Sequence, residues 1–235
     1  MSNKLRKEVA LGGWVLDHCG LSDYVWGHVS ARDPKGRGVW MKAKGLGFDE
    51  VRPADVLLVS WEGEVIEGDG PRHGEYPIHT EAMLASPAIN SVVHCHPAHA
   101  MALAATGHTL SPFSHIGAVF SHPVPAYDHA LGLVLTAEEG KALAAARGDS
   151  KAQLMRGHGV VTVGTSVGAA VTTAVMLERA CYLQLLAEGY GGVKRPLTEA
   201  QALDAYSHTQ GEDFLLEAWR YLARSTERAR ANQKR

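Results

Sequence analysis

Three histidines and one glutamate in this chain have the types and spacing of a catalytic metal site. His94 and His96 lie two residues apart at the end of a short apolar run. A strand repeats every two residues, so both rings are expected to leave the same face. His158 lies in a Gly-His-Gly turn, and Glu75 lies upstream. Three neutral imidazoles with an open fourth position favour a divalent metal that polarises a substrate oxygen.

Other residues near this pattern are expected to have plainer roles. A purely structural metal would require a fourth protein ligand, commonly a cysteine. Cys95 lies between the two histidines and is predicted to face the opposite side of the strand, in the core. His99 follows on the next predicted helix and is not expected to be a ligand.

Composition indicates an ordinary globular enzyme-sized domain. The chain has 235 residues, of which 46% are hydrophobic and 20% are charged, so residues 1–235 are predicted to form one domain. A net charge of -2 argues against nucleic acid or an anionic membrane as a partner. Three cysteines without regular spacing fit a reducing cytoplasm. Neither a signal peptide nor a membrane-spanning run is apparent.

Periodicity predicts alternating helices and strands without a linker, and hence one α/β domain. Thr136 and Glu139 form a capping box at the start of one helix. Helices are expected over residues 3–19, 77–85, 97–105, 136–147, 165–188 and 198–224, the last as one helix or a pair. Strands are expected over residues 28–32, 39–43, 55–61, 64–66, 91–96, 153–156 and 160–163. The basic end beyond Arg224 is expected to be a frayed helix terminus.

Four segments, in their order and spacing, resemble the class II aldolase/adducin family. They are residues 27–32 (GHVSAR), 74–79 (GEYPIH), 92–97 (VVHCHP) and 156–164 (RGHGVVTVG). The resemblance implies a three-layer α/β/α sandwich, usually in a homotetramer with sites between subunits. It also implies that His94, His96 and His158 hold zinc or another divalent ion, and that Glu75 is the catalytic acid or base.

The chain departs from the sugar-phosphate aldolases of that family where they bind phosphate. Small polar residues are replaced by imidazole, ammonium and guanidinium groups, which suit a planar carboxylate better. The expected substrate-binding residues are His28, Ser30, Arg32, Lys44, Gly45, Arg72 and His73.

A second proton donor is suggested by the same resemblance. Some aldolases of the family use a tyrosine in the loop after the metal-bearing strand, and this tyrosine reaches into the neighbouring subunit. The matching position is His115, whose imidazole could deliver a proton near neutral pH.

The sequence therefore predicts a metal-dependent carbon–carbon lyase. The preferred reaction is decarboxylation of a hydroxylated aromatic dicarboxylic acid such as 3,4-dihydroxyphthalate. Zinc is the preferred metal, while manganese, iron and cobalt stay open. One alternative is an aldolase that cleaves a hydroxyketone or a sugar phosphate, and another is an epimerase using retro-aldol chemistry. A non-catalytic adducin-like interaction domain is also considered, although such a domain would be expected to lack a full set of metal ligands.

Overall fold

The protein, studied as a computed structural model, is described over residues 2–120, 122–128, 132–208 and 211–233. These residues contain seven α-helices: α1 (Ser2–His18), α2 (Pro77–Ala85), α3 (Ala98–Thr106), α4 (Ala137–Arg147), α5 (Val167–Gly189), α6 (Glu199–His208) and α7 (Glu212–Gln233). They also contain eight strands: β1 (His28–Arg32), β2 (Gly38–Lys42), β3 (Val56–Ser60), β4 (Val65–Glu67), β5 (Ser91–Cys95), β6 (Ala126–Tyr127), β7 (Ala152–Met155) and β8 (Gly159–Gly164).

The strands form one mixed sheet in the order β4-β3-β2-β1-β5-β8-β7-β6. Neighbouring strands are antiparallel except for β6 and β7, which are parallel. In the central pair, β1 and β5, His28 lies directly opposite His94. The two segments that sequence analysis singled out are therefore hydrogen-bonded neighbours.

Alternate residues of β1, β2, β3, β5, β7 and β8 enter two separate hydrophobic clusters, one on each face of the sheet. On the α1 face, strand residues such as Val29 and Val93 pack with residues of α1, α3 and α5. On the α2 face, strand residues such as Val92 and Val161 pack with residues of α2 and α4. Helices thus cover both faces, and the predicted three-layer α/β/α sandwich is confirmed.

Each predicted helix and strand is present, with most ends shifted by one or two residues. The capping box of α4 is also confirmed, because Thr136 Oγ1 accepts a hydrogen bond from the Glu139 amide at 3.2 Å. β6 was not predicted, because a two-residue strand is too short to show a period of two. No helix among the described residues is both long and apolar enough to cross a membrane.

The C-terminal helix differs from the expectation of a frayed end. α7 continues to Gln233 because its last turns are anchored to the body of the protein. The Arg230 guanidinium lies 4.1 Å from the centre of the Trp14 ring and donates a hydrogen bond to the Asp49 carbonyl at 2.9 Å. This cation–π contact and hydrogen bond hold the basic segment as helix.

Candidate metal centre and active site

His94 and His96 converge at the end of β5, on the α2 face. Their Nε2 atoms lie 3.1 Å apart, although His96 follows the last residue of the strand. His94 is fully buried, and His96 is partly buried. Cys95 points away into the hydrophobic cluster of the α1 face, as predicted.

The turn between β7 and β8 brings His158 to the same place. Gly157 adopts a φ of +73°, a left-handed conformation that favours glycine. Gly159 lacks the Cβ that would lie 2.6 Å from His96 Cδ2. The two glycines let the turn pass close to β5, and one ring nitrogen from each of His94, His96 and His158 lies within 4.8 Å of the others.

The hydrogen bonds behind two of these rings orient them for metal binding. His94 Nδ1 donates to the Val160 carbonyl at 3.0 Å, which leaves the Nε2 lone pair directed at the cluster. Burial holds the pKa of His94 well below its usual value, so the ring is neutral. His96 Nδ1 lies 3.1 Å from Asp23 Oδ2, without the alignment of a full hydrogen bond. A carboxylate behind an imidazole is a common outer partner of a metal ligand.

Glu75 extends from the loop before α2 into this cluster and is only 8% exposed. Its Oε1 accepts a hydrogen bond from the Val134 amide at 3.0 Å and lies 3.4 Å from His158 Nε2. Its Oε2 lies 3.9 Å from His94 Nε2 and 4.0 Å from His28 Nε2. The Glu75 carboxylate therefore lies within 4.0 Å of ring nitrogens of His158, His94 and His28.

Three imidazoles with an adjacent carboxylate have the donor chemistry of a divalent metal site with an open position. A second group, formed by His28, Glu75 and His94, also has ligand atoms within 4.8 Å of one another. The residues present thus fit the metal that the sequence predicts.

The cluster opens into a cavity of about 340 Å³. The cavity wall combines ionisable, aromatic and apolar groups from five separate segments of the chain. The lining residues are Asp23, Trp26, Gly27, His28, His73, Glu75, His96, Met101, Gly132, Leu133, Gly157 and His158.

His28 and His73 are the two predicted substrate-binding residues that line this cavity. Their ring centres lie 4.5 Å apart. Burial lowers the pKa of His73 to about 3 and holds that of His28 well below its usual value. Among the described residues, His73 Nε2 is buried without a hydrogen-bond partner.

Ser30 and Arg32 lie elsewhere. Ser30 is fully buried, with Oγ 2.6 Å from His79 Nδ1. The Arg32 guanidinium donates to the carbonyls of Met83, Ser86 and Ile89, at and beyond the end of α2. The structure therefore gives Arg32 a helix-capping position in place of the predicted substrate contact.

Arg72, Lys44 and Gly45 are also absent from the cavity wall. The Arg72 guanidinium donates to the backbone carbonyls of Gly63 and His73 and lies 4.3 Å from the centre of the Tyr76 ring. Lys44 and Gly45 are exposed. The cavity wall thus carries mainly imidazoles, while Arg72 is bound to backbone carbonyls of nearby loops and Lys44 is exposed.

His115 is exposed and packs edge-on against Phe214 of α7, with ring centres 5.8 Å apart. It does not line the cavity of its own chain. Its predicted role depended on reaching a neighbouring subunit and stays a prediction.

Sequence analysis missed three residues at this site. Asp23 belongs to no motif and is remote in sequence from His96, so no pattern joined the two. Trp26 immediately precedes the Gly27-His28 pair, and this adjacency was a usable signal. His79 lies on the first turn of α2, shortly after Glu75, and its position in the 74–79 segment was a usable signal.

With this geometry in place, comparison with known proteins is decisive. The family model described as "Class II Aldolase and Adducin N-terminal domain" matches residues 7–185. The chain belongs to the class II aldolase and adducin family. Class II aldolases typically depend on a divalent metal, and the enzymes among its relatives act on small molecules.

The family members similar to this chain include decarboxylases and an aldolase. Two 3,4-dihydroxyphthalate decarboxylases are each 32% identical to it. The one from Arthrobacter keyseri aligns with 83% of this chain and 83% of its own, and the one from Rhodococcus jostii with 77% and 79%. The structure of L-fuculose 1-phosphate aldolase from Glaciozyma antarctica superposes with a TM-score of 0.84 at 25% identity, covering 98% of this chain and 91% of that one.

Proposed function

We propose that this protein is a metal-dependent decarboxylase of a hydroxylated aromatic dicarboxylic acid, of which 3,4-dihydroxyphthalate is the type. The observation that carries the proposal is the placement of Glu75 beside three converging imidazoles, in a cavity whose remaining polar groups are chiefly His28 and His73. The similar decarboxylases from Arthrobacter keyseri and Rhodococcus jostii support the same reaction.

His94, His96 and His158 would hold the metal, with zinc preferred over manganese, iron or cobalt. When bound, the metal would supply Lewis-acid polarisation of a phenolate oxygen and the adjacent carboxylate. Asp23 would orient His96 through Nδ1, and the Val160 carbonyl would orient His94 in the same way.

Glu75 is the proposed proton donor. In its protonated form it would transfer a proton to the ring carbon that carries the departing carboxylate. The bond from that carbon to the carboxylate then breaks, carbon dioxide leaves, and the electron pair returns to the ring to restore aromaticity. Water would return the proton to Glu75.

His73 is proposed to hold the retained carboxylate. His73 lines the cavity, and its buried Nε2 has no hydrogen-bond partner among the described residues. An anionic group at this position would raise the pKa of His73 above its present value of about 3. A proton taken up on binding would make Nε2 a donor to the carboxylate, with charge assistance.

A homotetramer in the cytoplasm completes the proposal. Tyr24 and Trp26 are 79% and 56% exposed at the cavity mouth, and such large apolar surfaces support a subunit contact there. In that arrangement His115 would act in the site of a neighbouring subunit.

Aldol cleavage of a hydroxyketone or sugar phosphate is the second candidate, favoured by the likeness in fold to L-fuculose 1-phosphate aldolase. The zinc-loaded protein should therefore be offered 3,4-dihydroxyphthalate and fuculose 1-phosphate separately, with carbon dioxide and aldehyde as the readouts. We expect zinc-dependent carbon dioxide release from the first and no cleavage of the second. Cleavage of only the second would replace the decarboxylase with an aldolase. Failure to bind metal would favour a non-catalytic adducin-like role.

A further inference from the structure

A buried chain of hydrogen-bonded side chains leads from the cavity into the protein. His28 Nδ1 lies 2.7 Å from His79 Nε2, and His79 Nδ1 lies 2.6 Å from Ser30 Oγ. The exposed fractions of the three residues are 2%, 0% and 0%. The cavity-lining ring of His28 is therefore held from behind by a second imidazole that touches neither the cavity nor solvent.

The surroundings of His79 decide which nitrogen of each ring carries the proton. Only one proton can lie between His28 Nδ1 and His79 Nε2 at 2.7 Å, so one of the two nitrogens carries a lone pair. His79 Nδ1 lies 2.6 Å from Ser30 Oγ, and Val92, which pairs with Ser30 across the sheet, presents a backbone carbonyl to the same ring. A carbonyl can only accept a hydrogen bond, so the tautomer with the proton of His79 on Nδ1 is the one that suits both groups. His79 Nε2 is the acceptor, and His28 Nδ1 is the donor.

This arrangement leaves the lone pair of His28 on Nε2, directed at the cavity. The separation of 4.0 Å between His28 Nε2 and Glu75 Oε2 agrees with it, because a proton on Nε2 would draw the carboxylate to hydrogen-bond distance. An unprotonated Nε2 repels a carboxylate and accepts a hydrogen bond from a hydroxyl group.

We propose that His28, held in this tautomer by His79, determines substrate specificity by accepting a hydrogen bond from a second hydroxyl group on the aromatic substrate. The inference rests on the proposed function for the aromatic ring and its metal-bound oxygens. His79 is a positioning residue, because it acts only through His28. A site built to pair a substrate hydroxyl discriminates against an analogue that lacks it.

Two probes isolate that hydroxyl. Salicylate carries the phenol and adjacent carboxylate that would contact the metal, and 2,3-dihydroxybenzoate adds one neighbouring hydroxyl. Their dissociation constants would be measured by calorimetry on the zinc-loaded protein. We expect the dihydroxy compound to bind at least about tenfold more tightly. The ratio should fall to near one in His28→Phe, which has no acceptor, and in His79→Phe. It should be unchanged in His18→Gln, a surface histidine hydrogen-bonded to Ser225.

Nitrogen-15 NMR of histidine-labelled, zinc-loaded protein reads the tautomer directly and needs no substrate or variant. We expect an unprotonated Nε2 and a protonated Nδ1 for His28. If His79→Phe does not fold, Ser30→Ala is the milder variant for the binding measurements. A protonated Nε2, or a binding ratio unaffected by His28→Phe, would overturn the inference while leaving the decarboxylase intact. Loss of zinc from His28→Phe would also overturn it, by making His28 a metal ligand. If neither probe binds a wild-type protein that turns over 3,4-dihydroxyphthalate, the inference fails alone, and absence of that turnover overturns the proposed function.

Discussion

The two faces of the central strands differ sharply in what they bury. On the α2 face, β1 and β5 present His28, Ser30 and His94. On the α1 face, the intervening residues, such as Val93 and Cys95, belong to a continuous hydrophobic cluster. Both sets are almost fully buried, so burial alone does not distinguish a site from a core.

The difference lies in how the buried groups are satisfied. Apolar residues of the α1 face need only close packing, whereas each imidazole of the α2 face requires a hydrogen-bond partner. His94 and His79 have such partners, but His73 Nε2 has none among the described residues. The α2 face thus retains polar capacity that a metal and a substrate could use. On the α1 face, the buried polar atoms without a partner among the described residues are the hydroxyls of Thr172 in α5 and Thr226 in α7, with no imidazole among them.

The adjacent residues His96 and Cys95 test this contrast most strongly. His96→Ala should lower zinc content and activity by at least about a hundredfold with little loss of folding stability. Cys95→Ala should retain zinc and activity but lower the free energy of unfolding by about 1–2 kcal/mol, because it opens a small cavity in the core. Metal analysis, turnover and urea unfolding of both variants check this. If His96→Ala and Cys95→Ala lowered zinc content equally, the metal site could not be assigned to the α2 face alone.

Glu75→Gln should lower turnover by about 10²- to 10⁴-fold while zinc stays bound, because an amide cannot deliver the proton. The matched control is Glu81→Gln, since Glu81 is a buried carboxyl of α2 that does not line the cavity. Steady-state kinetics with metal analysis check both variants. Full activity in Glu75→Gln would transfer the proton donor to another residue, with His115 next to be tested.

Asp23→Asn should weaken zinc binding by about 10- to 100-fold through loss of the carboxylate behind His96. Competition with a chelator measures this affinity. Asp17→Asn is the control, because Asp17 accepts a hydrogen bond from Ser22 at 2.8 Å in the same region without touching His96. A similar loss in both variants would indicate a general disturbance of the loop.

Lys42 is a charged residue on the α1 face. Its ammonium is buried and donates hydrogen bonds to the carbonyls of Val25 and Leu46. Burial lowers the pKa of Lys42 from 10.5 to about 8. Between these values the unfolded chain binds a proton that the folded protein does not, so stability should rise with pH across this window. The rise should be about 2 kcal/mol, and it should be missing from Lys42→Met in urea unfolding at pH 8 and pH 10. An equal rise in the free energy of unfolding in the wild type and in Lys42→Met would contradict the lowered pKa of Lys42.

Periodicity predicted the strands and one α/β domain, and the two-residue spacing of His94 and His96 placed both rings on one face of a strand. The Gly-His-Gly turn made His158 a candidate for the same site. The resemblance to the family implied the three-layer sandwich and a site position for His28, and the structure places both His28 and Glu75 beside the cluster.

Short-range sequence patterns could not predict the contacts of Arg72, Lys44 and Arg32. The partners of a long side chain depend on loops whose positions the sequence pattern does not give. The Arg72 guanidinium contacts a backbone carbonyl and the Tyr76 ring, and the Arg32 guanidinium donates to backbone carbonyls. Asp23 was missed for the same reason, because a loop after α1 brings it to His96. Sequence patterns therefore located the scaffold of the site better than the surroundings of its ligands.

The central claim is that the α2 face holds a metal on three imidazoles. X-ray absorption of the zinc-loaded protein tests it most directly. The account predicts one zinc per chain with three imidazole nitrogens at about 2.0–2.1 Å, one further light ligand and no sulfur. A sulfur ligand, which among the residues of β5 could come only from Cys95 on the opposite face, or fewer than three imidazoles, would contradict it.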